Sequence, residues 1–328
     1  MHRFPRRLRL GAAAAALFTA IGPAHALNVL LTNDDGCTAP GIVAVRKALL
    51  DAGHRVILVA PAGNQSGSGA AYAVPDRSTS LVVKDLNGDG SVFCVHRVKP
   101  AFVAGGALDA SNPNYVGTGS PVDATAMGLQ IIGPEARFTP DVVVSGANFG
   151  ENLSDSIPHS GTVMNALFAA RRGVPAIAVS VGVKFSEAAS GFPSTSASFP
   201  RAGAFLARLL AKLDSLRQAG EPLLPVLQPL SINYPALAAS ESAAGVRLTV
   251  PGTVDSFTTA YKRGADGTVS VNVGAPQAEL PALAKIAETP AFLASYVTIS
   301  PLTVDFRPTP LARGVFNRTR GDLAKLAP

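Results

Sequence analysis

Short apolar runs and segments of helical period alternate along the first two thirds of the chain. "NVLLTN" (residues 28–33) is a continuous apolar run closed by polar residues, the pattern of a strand buried on both faces. A helix is predicted to open at Pro40-Gly41, with Ile42, Val45 and Leu49 on one face and Gly53 as its stop. "HRVILVAP", "DVVVSGAN" and "VPAIAVSV" predict further buried strands, and "SGTVMNALFAARRG" predicts a helix between the last two. Buried strands separated by helices imply a mostly parallel sheet covered on both faces. The expected fold class is therefore α/β, a Rossmann-like three-layer sandwich.

Elsewhere the texture differs. Residues 81–98 show short alternating runs around "DLNGDG", the signature of a hairpin. A helix is predicted over residues 199–216, and the small-residue stretch 186–198 before it reads as a loop. After the Pro-rich "EPLLPVLQPL", the segments "LSINYPA", "AGVRLTVPGT", "TTAYKRGADGTVSVNV" and "SYVTISPLTVDF" read as strands with few helices among them. The expected organisation is a leader over residues 1–26, an α/β core over 27–220, and a β-rich C-terminal extension over 221–328. That extension packs on the core or reaches a neighbouring subunit.

The leader changes the meaning of the charge balance. Arg3, Arg6, Arg7 and Arg9 form a basic start, residues 10–21 are apolar but too short to span a bilayer, and Ala24-His25-Ala26 is an A-x-A cleavage pattern. A cleaved secretory signal is expected, leaving an exported periplasmic or secreted protein with no membrane attachment. Arg6-Arg7 leaves the twin-arginine route open beside the general one. The full chain has 28 Lys+Arg against 22 Asp+Glu. Taking away the leader's four arginines leaves 24 against 22, so the basic excess gives no support to nucleic-acid duplex binding. Cys37 and Cys94 are the only cysteines, too few for a thiolate zinc site, and the sequence does not say whether they are close.

The candidate chemistry sits at strand ends. In open parallel sheets ligands bind at the carboxyl edge. Asn33-Asp34-Asp35-Gly36 follows one predicted strand, Asn64-Gln65-Ser66-Gly67 the next, and Ser145-Gly146-Ala147-Asn148 ends a third, so all three are expected on one edge. An isolated "DDG" is usually an ordinary turn. Two adjacent carboxylates opposite two other polar clusters are better explained by a divalent cation between them. Oxygen ligands of this kind suit Mg²⁺ or Mn²⁺. Ser66 and Asn148 supply neutral oxygens that leave the ion positive enough to draw a phosphate. Ser160, Gly161 and Thr162 begin a helix whose N–H groups favour an anion, although Ser160 or Thr162 could equally be a simple N-cap.

In order along the chain, "VLLTNDDGCTAPGI", "GHRVILVAPAGNQSGSG", "GTGSPVDATAMGL", "PDVVVSGANFGENLSDSIPHSGTVMNALFAARRGVPAIAVS" and "YVTISPLTVDF" resemble the hallmark segments of the SurE family. These are the survival-protein-type nucleotidases and acid phosphatases. The resemblance implies a metal-dependent phosphomonoesterase acting on nucleoside monophosphates, with one Mg²⁺ or Mn²⁺ per subunit. It also implies a C-terminal β-arm used in homodimers or homotetramers. By motif position it makes Asp34, Asp35, Ser66 and Asn148 the metal ligands, with Asp34 and Asp35 catalytic. It places Asn33, Asn64, Ser145, Gly146, Ser160, Gly161 and Thr162 in the phosphate-binding surroundings. Cys37 departs from the family pattern, which has a large apolar or aromatic residue there, and the stretch 85–114 is longer and different.

The implied reaction is direct hydrolysis by metal-activated water, with Asp34 or Asp35 orienting or deprotonating the water. No Cys is followed by Arg six positions later; Val43 and Pro100 stand there. "DLNGDGSVFCVH" begins like a calcium loop, but His96 occupies its twelfth position in place of Glu. Of His54, His96 and His159, only His159, beside the predicted helix start, is a candidate substrate contact. Two other classes stay open. One is a nucleotide-sugar glycosyltransferase, which leaves the Asp pair unexplained; the other is a non-catalytic periplasmic nucleotide- or phosphate-binding protein.

Overall fold

The computed structural model describes residues 25–73 and 78–305. The expected leader falls almost wholly outside the described residues. Twelve strands and six helices are formed there. The strands are β1 (Asn28–Thr32), β2 (Arg55–Pro61), β3 (Ser80–Asp85), β4 (Val92–Val98), β5 (Tyr115–Thr118), β6 (Val142–Phe149), β7 (Ala176–Val181), β8 (Leu230–Tyr234), β9 (Gly245–Leu248), β10 (Thr258–Arg263), β11 (Val269–Gly274) and β12 (Tyr296–Pro301). The helices are α1 (Pro40–Asp51), α2 (Pro121–Met127), α3 (Gly133–Glu135), α4 (Gly161–Ala170), α5 (Pro193–Leu216) and α6 (Glu288–Leu293).

Ten strands share one sheet in the order β3-β4-β2-β1-β6-β7-β8-β12-β9, with β5 beside β4. The central strands β4, β2, β1, β6, β7 and β8 are all parallel. The continuous apolar runs follow from that position, since β1, β2, β6 and β7 have helices over both faces and bury nearly every side chain. One core layer joins Leu31, Ile42, Val45, Leu49 and Leu58 to Leu206 and Leu210 under α1 and α5. The other joins Leu30, Val59 and Val143 to Ala124, Val163 and Ala166 under α2 and α4. This is the expected three-layer α/β sandwich. From β1 the chain goes outward through β2 and β4, then returns to place β6 on the other side of β1. The β1–β6 seam is thus a topological switch point, where ligand crevices open in such sheets.

One expectation is corrected. Residues 186–198 are not a loop: a short 3₁₀ segment spans Phe185–Ser190, and α5 already begins at Pro193. Three of the small hydroxyl residues that suggested a loop, Ser194, Thr195 and Ser198, are buried and hydrogen-bonded. Thr195 donates to the Gly182 carbonyl, and Ser198 Oγ donates to Ser194 O while accepting from Leu237 N. The β-rich region after residue 220 contributes strands to the main sheet. β8 pairs parallel with β7, and β12 pairs antiparallel with β8, so these strands extend the main sheet. Only β10 and β11 stand apart, as an antiparallel hairpin. Tyr261 and, on the facing strand, Val269, Val271 and Val273 are exposed on it.

The hairpin expected around "DLNGDG" is present as β3 and β4. Its turn accounts for the calcium-like spacing without an ion. Asp85 Oδ1 accepts from the N–H groups of Asn87 and Gly88, and Oδ2 accepts from Gly90.

Candidate active site

The three polar clusters do meet at the carboxyl edge of the sheet. Thr32, the last residue of β1, lies opposite Ser145 of β6. The ladder between β6 and β7 is irregular between Ser145 and Asn148 and resumes where Asn148 and Phe149 face Ser180 and Val181. Across the seam, Asp35 Oδ2 accepts from Phe149 N at 2.9 Å, so the second aspartate is fixed beside Asn148. The loop after β2 is joined to the same place, because Gln65 N donates to the Asp34 carbonyl at 2.7 Å. Asn64 Oδ1 in turn accepts from Ser66 N at 2.6 Å, and both Asn64 and Ser66 face solvent.

Asp34 sits at the start of α4. Ser160 is the N-cap and accepts from Val163 N at 3.0 Å. Thr162 Oγ1 donates to Asp34 Oδ1. The backbone N–H groups of Gly161 and Thr162 also act on this carboxylate and favour its ionised form. A Cβ at Gly161 would lie 2.7 Å from Asp34 Cβ and 2.9 Å from Oδ2, so the missing side chain is what lets the aspartate approach the helix. The helix start expected to meet a phosphate therefore receives an internal carboxylate.

The buried polar side chains behind the edge pair largely with one another, although Asn165 Oδ1, like Asn148 Oδ1, has no partner. Asn33 donates to Gly36 O and accepts from Gly36 N. Asn165 Nδ2 donates to Asn33 O at 3.2 Å and to Ser145 Oγ at 3.3 Å. Asn33 and Ser145 are fully buried, so they shape the loops from inside the protein. Asn165 was missed by sequence reasoning. Its signal was there to see: an amide on the otherwise apolar face of "VMNALFAA" needs partners when buried. Phe149 was missed too, because it acts through its backbone N–H. His159 is exposed, next to the N-cap serine, and its carbonyl accepts from Gly69 N.

The electrostatics of this edge suit a cation. Burial, and next the neighbouring Asp34 carboxylate, push Asp35 up to about 7 from its ordinary 3.8. Asp34 is raised as well, by burial, against the opposing pull of its hydrogen bonds. Among the described residues no ion pair joins either carboxylate to a basic side chain. Asn148 donates through Nδ2 to Gly150 O at 2.8 Å, which leaves Oδ1 a buried acceptor with no partner. An orphaned amide oxygen beside two unneutralised carboxylates is the donor set of a hard divalent ion. Among the described residues no group of three or more His, Cys, Asp and Glu side chains could hold a metal. An ion here would have to rely on two acids and neutral oxygens.

A family model described as survival protein SurE matches residues 29–258. The chain belongs to the SurE family. A 5'-nucleotidase SurE of Rubrobacter xylanophilus is 40% identical over 156 residues, which is 47% of this chain and 49% of that protein. One from Nitratidesulfovibrio vulgaris is 38% identical over 219 residues, 67% of this chain and 65% of the relative. The matched region spans between about half and two thirds of the length of these relatives. The crystal structure of the SurE protein from Aquifex aeolicus has a TM-score of 0.64 at 24% identity, covering 88% of this chain and 98% of that one, and shows the shared fold.

The SurE segment after Asn148 also holds the root of the β10–β11 hairpin. Glu151 accepts from Ser256 Oγ and from Val183 N, and Ser156 Oγ donates to Asp255 at 3.3 Å. Asp255 is pushed up to about 7, by burial first and then by the Glu151 and Asp155 carboxylates. The folded chain thus holds this proton more tightly than the unfolded chain. Its contribution to stability is present in full below pH 4 and is lost as pH rises through 7. Asp255→Asn keeps an acceptor for Ser156 and removes the charge. It is expected to stabilise the protein at pH 8 by about 1–2 kcal/mol, allowing for partial exposure, and to leave it unchanged near pH 4. Urea unfolding at the two pH values measures this; equal shifts at both would refute the assignment.

Proposed function

We propose that this SurE-family chain is a divalent-metal-dependent phosphomonoesterase that hydrolyses nucleoside monophosphates. The observation that carries the reading is the buried, partnerless Asn148 Oδ1 beside the unneutralised Asp34–Asp35 pair at the β1–β6 switch point. Asp34, Asp35, Asn148 and the Ser66 hydroxyl would hold the ion. Mg²⁺ or Mn²⁺, when bound, supplies Lewis acidity and a water of lowered pKa.

The chain's own groups then have distinct tasks. Asp34 is tied to Thr162 and the α4 start, so it anchors the ligand set. Asp35 is less buried and uses one oxygen on Phe149 N; its other oxygen is assigned to accept the water's proton. The exposed Asn64 and Ser66 line the side from which a phosphate approaches, and the buried Ser160–Gly161–Thr162 turn holds the Asp34 carboxylate. Buried Asn33, Ser145 and Gly146 keep those loops in place. The names of the curated relatives favour a nucleoside 5'-phosphate as substrate.

The purified chain is expected to hydrolyse a nucleoside monophosphate or an aryl phosphate, to lose that activity in excess chelator, and to regain it with Mn²⁺ or Mg²⁺. Full turnover in excess chelator would defeat the metal mechanism. Tight nucleotide retention without turnover would instead favour a binding protein, and transfer from a sugar nucleotide would favour a glycosyltransferase. We further propose export with cleavage near Ala26, supported by the leader pattern and by the disulfide described below, and a homodimer or homotetramer built through the exposed β10–β11 hairpin. N-terminal sequencing and light scattering decide these points; an intact Met1 or a monomer would count against them.

A further inference from the structure

Cys37 and Cys94 are joined in a disulfide, with Cα atoms 5.5 Å apart. Cys37 lies two residues beyond Asp35, in the loop between β1 and α1. On the β2 side the other ties on this loop are hydrogen bonds that stay local or reach the end of β2, and across the seam the loop is held by Phe149 N, Thr162 Oγ1 and Asn165 Nδ2. The Asn33 side chain holds Gly36, Cys37 N donates to Pro61 O at 2.7 Å, and Gln65 N donates to Asp34 O. The disulfide goes further. In the order β4-β2-β1 it passes over β2 and anchors the loop to β4, above the small side chain of Ala60, which is the register partner of Cys94. Both cysteines are 4% exposed and belong, with Ala60, to the core layer under α1. The cross-linked stretch has a sequence separation of 57 and contains the Asn64–Ser66 loop, while the Asp34–Asp35 pair lies just outside the ring, next to its Cys37 end.

We infer that the Cys37–Cys94 disulfide positions the Asp34–Asp35 loop to receive the divalent ion, an inference that rests on the metal-dependent reading above. Two adjacent carboxylates of like charge, packed together in a poorly solvated place, push the loop apart when no cation is present. Hydrogen bonds to a neighbouring strand end yield readily to that force, and a covalent anchor on the strand beyond does not. With the anchor in place the ligands are ordered before the ion arrives. Without it, the ordering must be achieved during binding and weakens the affinity. Closing the bond removes two protons and two electrons from the two thiols, and a small disulfide oxidant takes them up and becomes two thiols. Cys37 and Cys94 are thus positioning residues; neither touches substrate.

The test compares the full chain in four forms: oxidised, reduced with a phosphine, re-oxidised with oxidised glutathione, and as the Cys37→Ser/Cys94→Ser double variant. The Mn²⁺ dissociation constant is measured by electron paramagnetic resonance at a temperature where every form is folded, with Tm recorded alongside. Mn²⁺ binding is expected to weaken about tenfold in the reduced and double-variant forms and to recover on re-oxidation. A lowered Tm with unchanged Mn²⁺ affinity makes the cross-link a fold staple only and overturns the inference. If the double variant does not fold, the reduction and re-oxidation cycle decides. Free thiols in the oxidised preparation overturn the inference while leaving the metal reading intact. An oxidised chain that binds no Mn²⁺ defeats the metal reading, and the inference falls with it.

Discussion

Asp34→Asn is expected to lower kcat for phosphomonoester hydrolysis by about 10³-fold, because on the metal-dependent reading proposed above it removes one of the two charges that would hold the ion. Loss of metal-centred charge stabilisation is worth several kcal/mol, and about 4 kcal/mol corresponds to this factor. The same substitution is mild for the fold. An asparagine Oδ1 still accepts from the Thr162 hydroxyl, and a neutral side chain escapes the burial cost that raises the Asp34 carboxyl. Activity should therefore collapse while Tm stays level or rises. Steady-state kinetics at saturating Mn²⁺, paired with a melting curve, separate the two effects. A variant retaining activity within tenfold of the parent would remove Asp34 from the ligand set.

The second large effect is on stability. Gly146 lies inside β6, between β1 and β7, with φ at +129°, a backbone conformation that side-chain-bearing residues seldom adopt. A Cβ there would overlap the Val179 carbonyl of β7, and a backbone atom in a central strand cannot swing aside. Strain and overlap together make Gly146→Ala cost about 3–5 kcal/mol. Urea unfolding should show the midpoint falling accordingly, or the variant should fail to accumulate as folded protein. A loss below about 1 kcal/mol would mean that β6 and β7 can part locally at little cost. The proposed place of Gly146 among the phosphate-binding residues is thus that of a backbone position that shapes the strand end.

Much of this architecture is written in local patterns. "NVLLT", "RVILVAP" and "VVVSGANF" carry continuous apolar runs because their strands are buried on both faces, and that pattern points to a parallel sheet before any partner is known. The edge rule then brings Asp34, Asp35 and Asn148 together correctly, since strand direction alone fixes which ends coincide. What local pattern does not carry is partnership. Nothing in "SYVTISPL" states that it pairs antiparallel with "LSINY", so composition grouped both strands with the hairpin, although they belong to the main sheet. Thr195 and Ser198 look like loop residues because their hydroxyls compete with helix hydrogen bonds, and only burial against Gly182 and Leu237 shows how they are satisfied. The bond between Thr162 and Asp34 and the pairing of Cys37 with Cys94 are likewise tertiary facts, invisible to spacing.

The seam between β1 and β6 has a consequence in time. Asp35 and Phe149 are 114 residues apart in the chain, and Asp34 and Thr162 are 128 apart. A chain emerging amino end first presents its aspartates long before their partners exist. Because those contacts are so distant in sequence, they form only after the intervening strands have found their places. A half-made molecule therefore carries the acids without a centre, and competence arrives in one step, when β6 closes against β1.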